Sequence, residues 1–206
     1  MILETVNVGP MQVNCYILAC AAGGQAMIID PGDQVLKIRA VLDKHRLKPA
    51  MVINTHGHYD HIGSDDEFGV LVYVHKNDLA MLVDARKNLS ASFSRAYKVS
   101  SEIKTLIDKE IIKLDCLELE VIHLPGHTSG GIGLLMKKPQ TDIIFTGDTL
   151  FYQGVGRWDL PGGSQQQLEK AIRERLFILP ADTKVYPGHG AATTIAREKS
   201  ANVFGL

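Results

Sequence analysis

Cysteine is scarce, with three in 206 residues, and neither Cys15, Cys20 nor Cys116 stands at a C-x-x-C spacing. A thiolate metal cluster has no basis in that pattern, and a disulfide framework is not needed at this size. The plain expectation is three reduced core thiols in a cytoplasmic protein. An excess of one charge is also missing, since 22 basic against 23 acidic residues leave a net charge of −1. Such a balance offers no polyanion-binding surface, so nucleic acid is not an expected partner. No apolar run approaches the roughly 20 residues that cross a bilayer, which sets the membrane aside too. The N-terminus Met1-Ile2-Leu3-Glu4 lacks a basic segment followed by an apolar stretch, so no secretory leader is expected.

The composition is that of an ordinary globular chain, 45% hydrophobic and 22% charged, enough for one core across residues 1–206. Short apolar runs bounded by turn residues predict strands near 2–8, 15–19, 26–29, 51–53, 70–74, 111–122, 131–136, 142–145 and 183–186. Val35, Ile38, Val41 and Leu42 recur at helical spacing and predict a helix over 34–45. A second helix is expected at 77–84. A third follows Ser164, where Gln167 completes a capping-box pattern. Residues 154–163 form a glycine-rich loop, and 86–104, rich in Ser, Lys and Arg, are expected as a mobile segment near a site mouth. Hairpin-length connections among alternating strands and helices indicate an α/β architecture of mixed sheets sandwiched by helices.

The histidines carry the chemistry. Three of the eight fall within Thr55-His56-Gly57-His58-Tyr59-Asp60-His61, directly after an apolar strand. Imidazoles and a carboxylate so spaced can serve two neighbouring metal positions from one turn; taken alone, a solvated histidine-rich loop would explain the segment as well. Three further segments share one design, an apolar strand followed by a polar residue in a glycine turn. They centre on His127 in Pro125-Gly126-His127-Thr128, Asp148 in Thr146-Gly147-Asp148-Thr149, and His189 in Pro187-Gly188-His189-Gly190. Strand ends are rigid and hold side chains accurately. Turn chemistry does not account for four such segments that all carry metal-ligand residue types.

With its His-x-His-x-Asp-His run intact, the chain resembles the metallo-β-lactamase-fold hydrolase superfamily from Asp30 to His189. Within it, the Gly156-Arg157-Trp158-Asp159-Leu160-Pro161-Gly162-Gly163-Ser164 stretch is most similar to the short glyoxalase II-like hydrolases. The resemblance implies a four-layer αββα sandwich of two mixed β-sheets flanked by helices. It implies two divalent ions, zinc first with iron or manganese as alternatives. His56, His58 and His127 would hold one, Asp60, His61 and His189 the other, and Asp148 would bridge them. Asp60, His61 and Asp148 would then be the catalytic group around a metal-bridging hydroxide. Asp30 would orient the ligand loops, or else cap the turn before the first helix. The implied substrate is a small-molecule thioester, S-D-lactoylglutathione or a related 2-hydroxyacyl thioester.

Two departures stand out. Arg157 and Asp159 occupy positions where the family has lysine and tyrosine, so Arg157 is either a substrate contact or a pin for its loop. Few residues follow His189, so the C-terminal helical glutathione-binding domain of full-length glyoxalase II is not expected. A mononuclear iron persulfide dioxygenase using His56, His127 and Asp148 is the rival reading, and lactone or β-lactam hydrolysis are others. His45, His75 and His123 are expected to be structural or solvated.

Overall fold

A strand covered on both faces needs an apolar side chain at every position, and the continuous apolar runs of this chain become such strands. The computed structural model describes residues 1–93 and 96–201. Its first sheet runs β1 (Ile2–Val8), β2 (Val13–Ala19), β3 (Gln25–Ile29), β4 (Lys48–Ile53), β5 (Leu71–His75) and β6 (Ile103–Leu106), in that spatial order. The second contains β7 (Ile111–Leu114), β8 (Leu117–His123), β9 (Ile132–Lys138) and β10 (Ile143–Gly147). A small hairpin, β11 (Leu150–Phe151) with β12 (Gly154–Val155), stands apart, and β13 (Lys184–Pro187) and β14 (Thr193–Thr194) complete the second sheet in the order β14-β13-β10-β9-β8-β7. Both sheets are mixed: β3, β4, β5 and β6 pair in parallel, as do β10 and β13, and the remaining neighbours are antiparallel.

Side-chain alternation sorts each strand between two apolar layers. In β2, Cys15, Ile17 and Ala19 face outward to α1 (Val35–His45), which contributes Ile38 and Leu42. Tyr16 and Leu18 face the second sheet, where Phe145, Leu134 and Val121 meet them. The Tyr16 and Phe145 rings lie 4.9 Å apart in that middle layer. Beyond the second sheet, Ile144 and Val185 pack on Leu168 and Ala171 of α4 (Gln165–Ala171), with Ile172 and Leu176 of the single π turn that follows it. Ile195 of α5 (Ile195–Ala201) joins the same layer. Three apolar layers between four of secondary structure make the αββα sandwich. Among the described residues no helix is long and apolar enough to cross a membrane.

Ser164 caps α4 by accepting the Gln167 amide at 3.4 Å, half of the expected box. The other half is not made, because the Ser164 N–H donates to the Gly126 carbonyl and ties α4 to the His127 loop. Within 86–104 the structure places β6 and a short 3₁₀ turn at Ser90–Ser92; Ser94 and Arg95 lie outside the described residues.

One expectation is corrected. Cys15 is a buried free thiol, but Cys20 and Cys116 are joined as a disulfide 96 residues apart in sequence. Cys20 follows the last residue of β2 and Cys116 precedes β8, so stacking the sheets brings the two together. With that bridge, cysteine usage no longer argues for a reducing compartment.

Candidate metal centre

The parallel strands β3, β4, β10 and β13 all end on one edge of the sandwich, and each delivers a ligand-type residue just beyond its last position. Asp30 follows β3, His56 to His61 follow β4, Asp148 follows β10 and His189 follows β13. His127 comes from the turn after β8. One helical turn, α2 (Tyr59–Ile62), carries Asp60 and His61 side by side. All seven predicted ligand residues meet here.

Their donor atoms fall into two neighbouring groups. His56, His58 and His127 converge with His58 Nδ1 2.9 Å from His127 Nε2. Asp60, His61 and His189 converge with His61 Nε2 3.3 Å from His189 Nε2 and Asp60 Oδ2 3.6 Å from the latter. Asp148 lies between: Oδ1 is 3.5 Å from His61 Nε2, and Oδ2 is 3.6 Å from His127 Nε2 and 3.5 Å from His189 Nε2. Gly188 permits that position, because a Cβ there would stand 2.2 Å from Asp148 Oδ1.

The ring nitrogens of His56, His61, His127 and His189 turned away from the centre are held by the protein, which sets the ligating tautomer, while His58 Nε2 is buried without a partner among the described residues. His61 Nδ1 donates to Asp30 Oδ2 at 3.0 Å, His127 Nδ1 to the Arg157 carbonyl at 2.7 Å, and His189 Nδ1 to the Met11 carbonyl at 2.9 Å. His56 Nδ1 reaches Thr55 Oγ1 at 3.2 Å, and that hydroxyl donates onward to Asp30 Oδ2 at 2.7 Å. Asp30 is buried at a left-handed φ of 52°. It also accepts the Thr55 amide at 2.7 Å, so its carboxylate orients two ligand segments. Gln34, not Asp30, stands at the start of the first helix, and its side chain makes no capping hydrogen bond there.

Charge completes the fit. Burial opposes a charge on Asp148, yet His61, His189 and His127 outweigh it and hold the carboxyl far below its usual range. Burial likewise opposes protonation of His61, but Asp148, Asp60 and Asp30 raise it to about 9. The same contest at His189, decided by Asp148 and Asp60, gives about 10. In the other group, burial and then the neighbouring imidazoles keep His56 well below its ordinary value and bring His58 down to about 3. Neutral imidazoles offer lone pairs, while a cation at the second group replaces protons it already attracts. His56 Nε2 and Asp148 Oδ1 are buried with no hydrogen-bond partner among the described residues, an arrangement that a cation satisfies. With no sulfur in it, the donor set suits zinc, iron, manganese or cobalt.

The family model for the metallo-beta-lactamase superfamily matches residues 8–189. The chain belongs to the metallo-beta-lactamase superfamily. A Haemophilus influenzae relative, "Hydroxyacylglutathione hydrolase GloC", is 33% identical over 214 residues, covering 99% of this chain and 98% of its own. A solved structure described as BLEG-1 B3 metallo-beta-lactamase superposes with a TM-score of 0.90 at 32% identity, over 98% of this chain and 99% of that one. A di-iron-bound form of TTHA1623 gives 0.83 at 33% identity over the same shares.

This member of the superfamily has a supporting residue that sequence reasoning missed. Asp78 is fully buried behind the first group. It accepts the Gly57 amide at 3.1 Å, the Thr128 hydroxyl at 2.7 Å and the Gly130 amide at 2.7 Å. One carboxyl therefore clamps the His56–His58 loop to the His127 loop. In sequence it is a lone aspartate after a strand, with partners 21 to 52 residues away. The Arg157 guanidinium forks onto Asp159 through two 2.8 Å bonds, while its carbonyl holds His127. Arg157 also lines the cleft over the centre, about 480 Å³, with Phe93, Phe151 and Leu160.

The other histidines lie away from the seven. His45 pairs with Glu4 at 2.5 Å. His75 is buried and stacked on His123, ring centres 4.2 Å apart, and His123 Nε2 donates to Ser129 O behind the His127 loop. Burial, then His123 and Lys76, hold His75 at about 4. The unfolded chain takes up that proton first, so this contribution to stability is complete above about pH 6.5 and is lost as pH falls towards 4. A shift of that size corresponds to about 3 kcal/mol. His75→Phe should flatten the dependence of the urea midpoint between pH 7.5 and 4.5; an unchanged slope would assign the acid sensitivity elsewhere.

Proposed function

We propose that this chain is a binuclear metal-dependent hydrolase, zinc-loaded, that cleaves a thioester of the S-D-lactoylglutathione or 2-hydroxyacyl type. The observation that carries the reading is the pair of ligand groups sharing Asp148, open to one cleft. Two bound divalent ions would bring the pKa of bound water down to near 7 and supply positive charge for the developing oxyanion. In the overall reaction a C–O bond forms, the C–S bond breaks, and water and the thioester become a carboxylic acid and a free thiol. Asp60, which lines the cleft, would take the proton given up in the attack, on the carboxylate oxygen that does not face His189. His61, aimed by Asp30, and Asp148 hold the two ligand groups in register throughout.

The leaving group favours a thioester. Tyr59 is the one hydroxyl side chain among the described residues lining the cleft, and its hydroxyl donates to Met11 Sδ at 3.3 Å. A thiolate departs without an acid, whereas an amine needs one. GloC, matched over 98% of its length, supports the same class. BLEG-1, described as a metallo-beta-lactamase, makes a cyclic amide the second candidate.

Zinc-loaded protein is expected to remove the thioester absorbance of S-D-lactoylglutathione, to lose that activity to a chelator, and to regain it with zinc. Nitrocefin cleavage without thioesterase activity would replace the substrate class. Oxygen uptake with glutathione persulfide and no hydrolysis would replace the reaction.

A further inference from the structure

A second chamber of about 310 Å³ adjoins the cleft. Val8, Pro10, Val13 and Tyr97 contribute to its wall, and it meets the metal centre at Asp60. Met11, Tyr59 and Phe93 line both spaces and form the partition between them. The Tyr59 ring lies 4.5 Å from that of Phe93, and the Tyr59 hydroxyl is fixed on Met11 Sδ. Among the described residues, the ionisable side chains lining the chamber, apart from the two tyrosines, are the carboxylates Asp33 and Asp60. The cleft on the other side of the partition carries Arg157.

Volume and charge select an occupant. A cavity of about 150 Å³ lined by apolar side chains already takes a benzene-sized body. A lactoyl group leaves most of the chamber unfilled, and unfilled apolar surface contributes nothing to binding. A carboxylate on the acyl group would face Asp33 and be repelled. A glutathione-like carrier, with its own carboxylates, is better placed beside Arg157. We infer that the chamber is the acyl pocket, and that the preferred substrate is a thioester whose acyl group carries an uncharged apolar body about the size of a phenyl ring. This inference rests on the thioester reading above.

The test holds the thiol constant and varies the acyl group on zinc-loaded full-length protein. The probes are the glutathione thioesters of D-lactate, D-mandelate and succinate. The expected kcat/KM for mandeloyl exceeds that for lactoyl by at least about tenfold, the range that complementary apolar filling supports, and succinyl falls below both. Phe93→Ala removes part of the aromatic wall and should bring the mandeloyl-to-lactoyl ratio towards one. Asp33→Lys, at an exposed position before α1, should raise the succinyl-to-mandeloyl ratio at least about tenfold by reversing the local charge. Lactoyl cleaved as fast as mandeloyl, or an unchanged succinyl ratio in Asp33→Lys, overturns the pocket assignment and leaves the thioesterase standing. Absence of any thioester cleavage overturns both.

Discussion

Replacing Asp148 by alanine should lower kcat/KM by at least about a thousandfold and leave the protein short of metal. An outer partner of a metal site typically costs 10–100-fold, and Asp148 is shared by both ligand groups. Its oxygens stand 3.5–3.6 Å from imidazoles of His61, His127 and His189, and without it these rings lose the charge that gathers them. Asp148→Asn separates charge from shape. It keeps the volume that Gly188 accommodates, and should lose most of the activity while retaining the thermal stability of the parent. Metal content and thioester turnover, measured on the same preparations, check the point. Full activity in Asp148→Asn would mean that the carboxylate plays no part in the chemistry.

Reducing the Cys20–Cys116 disulfide should have the largest effect on stability with almost none on activity. The bridge closes a loop of 96 residues, for which the chain-entropy account gives about 5 kcal/mol. In a chain of this size that is about 10–20 °C in Tm. The effect on the site is small because of where the bridge sits. β2 starts at Val13, which pairs with His189, and runs away from the centre to Ala19, roughly 20 Å along the strand at its usual rise. Cys116→Ser and reductant on the parent protein should therefore lower Tm alike and leave turnover at 25 °C unchanged. Three titratable thiols in the untreated unfolded protein would contradict the pairing.

The convergence of the seven ligand-type residues was legible in the sequence, because they come in short runs at strand ends where glycine marks the turn, whereas their division between two metal positions came from the family resemblance. The helix expected over 34–45 is found at Val35–His45, and the strand expected at 2–8 at Ile2–Val8. What escaped has physical reasons. β6 is an edge strand with Lys104 and Thr105 exposed and only Leu106 fully buried, so it lacks an apolar run. β14 and the β11–β12 hairpin have two residues per strand, too few for periodicity. Asp78 and the disulfide both depend on partners distant in sequence, which only the stacking of two sheets brings near. The reciprocal half of the Ser164 capping box failed for the same reason: a distant carbonyl, that of Gly126, took the amide.

The most direct test of the binuclear reading is the metal content of the purified protein, with zinc titrated into metal-free chain in parallel. Two ions per chain are predicted, falling to one or fewer in both Asp148→Ala and His189→Ala. A single tightly held ion, unaffected by loss of Asp60 or His189, would contradict the account.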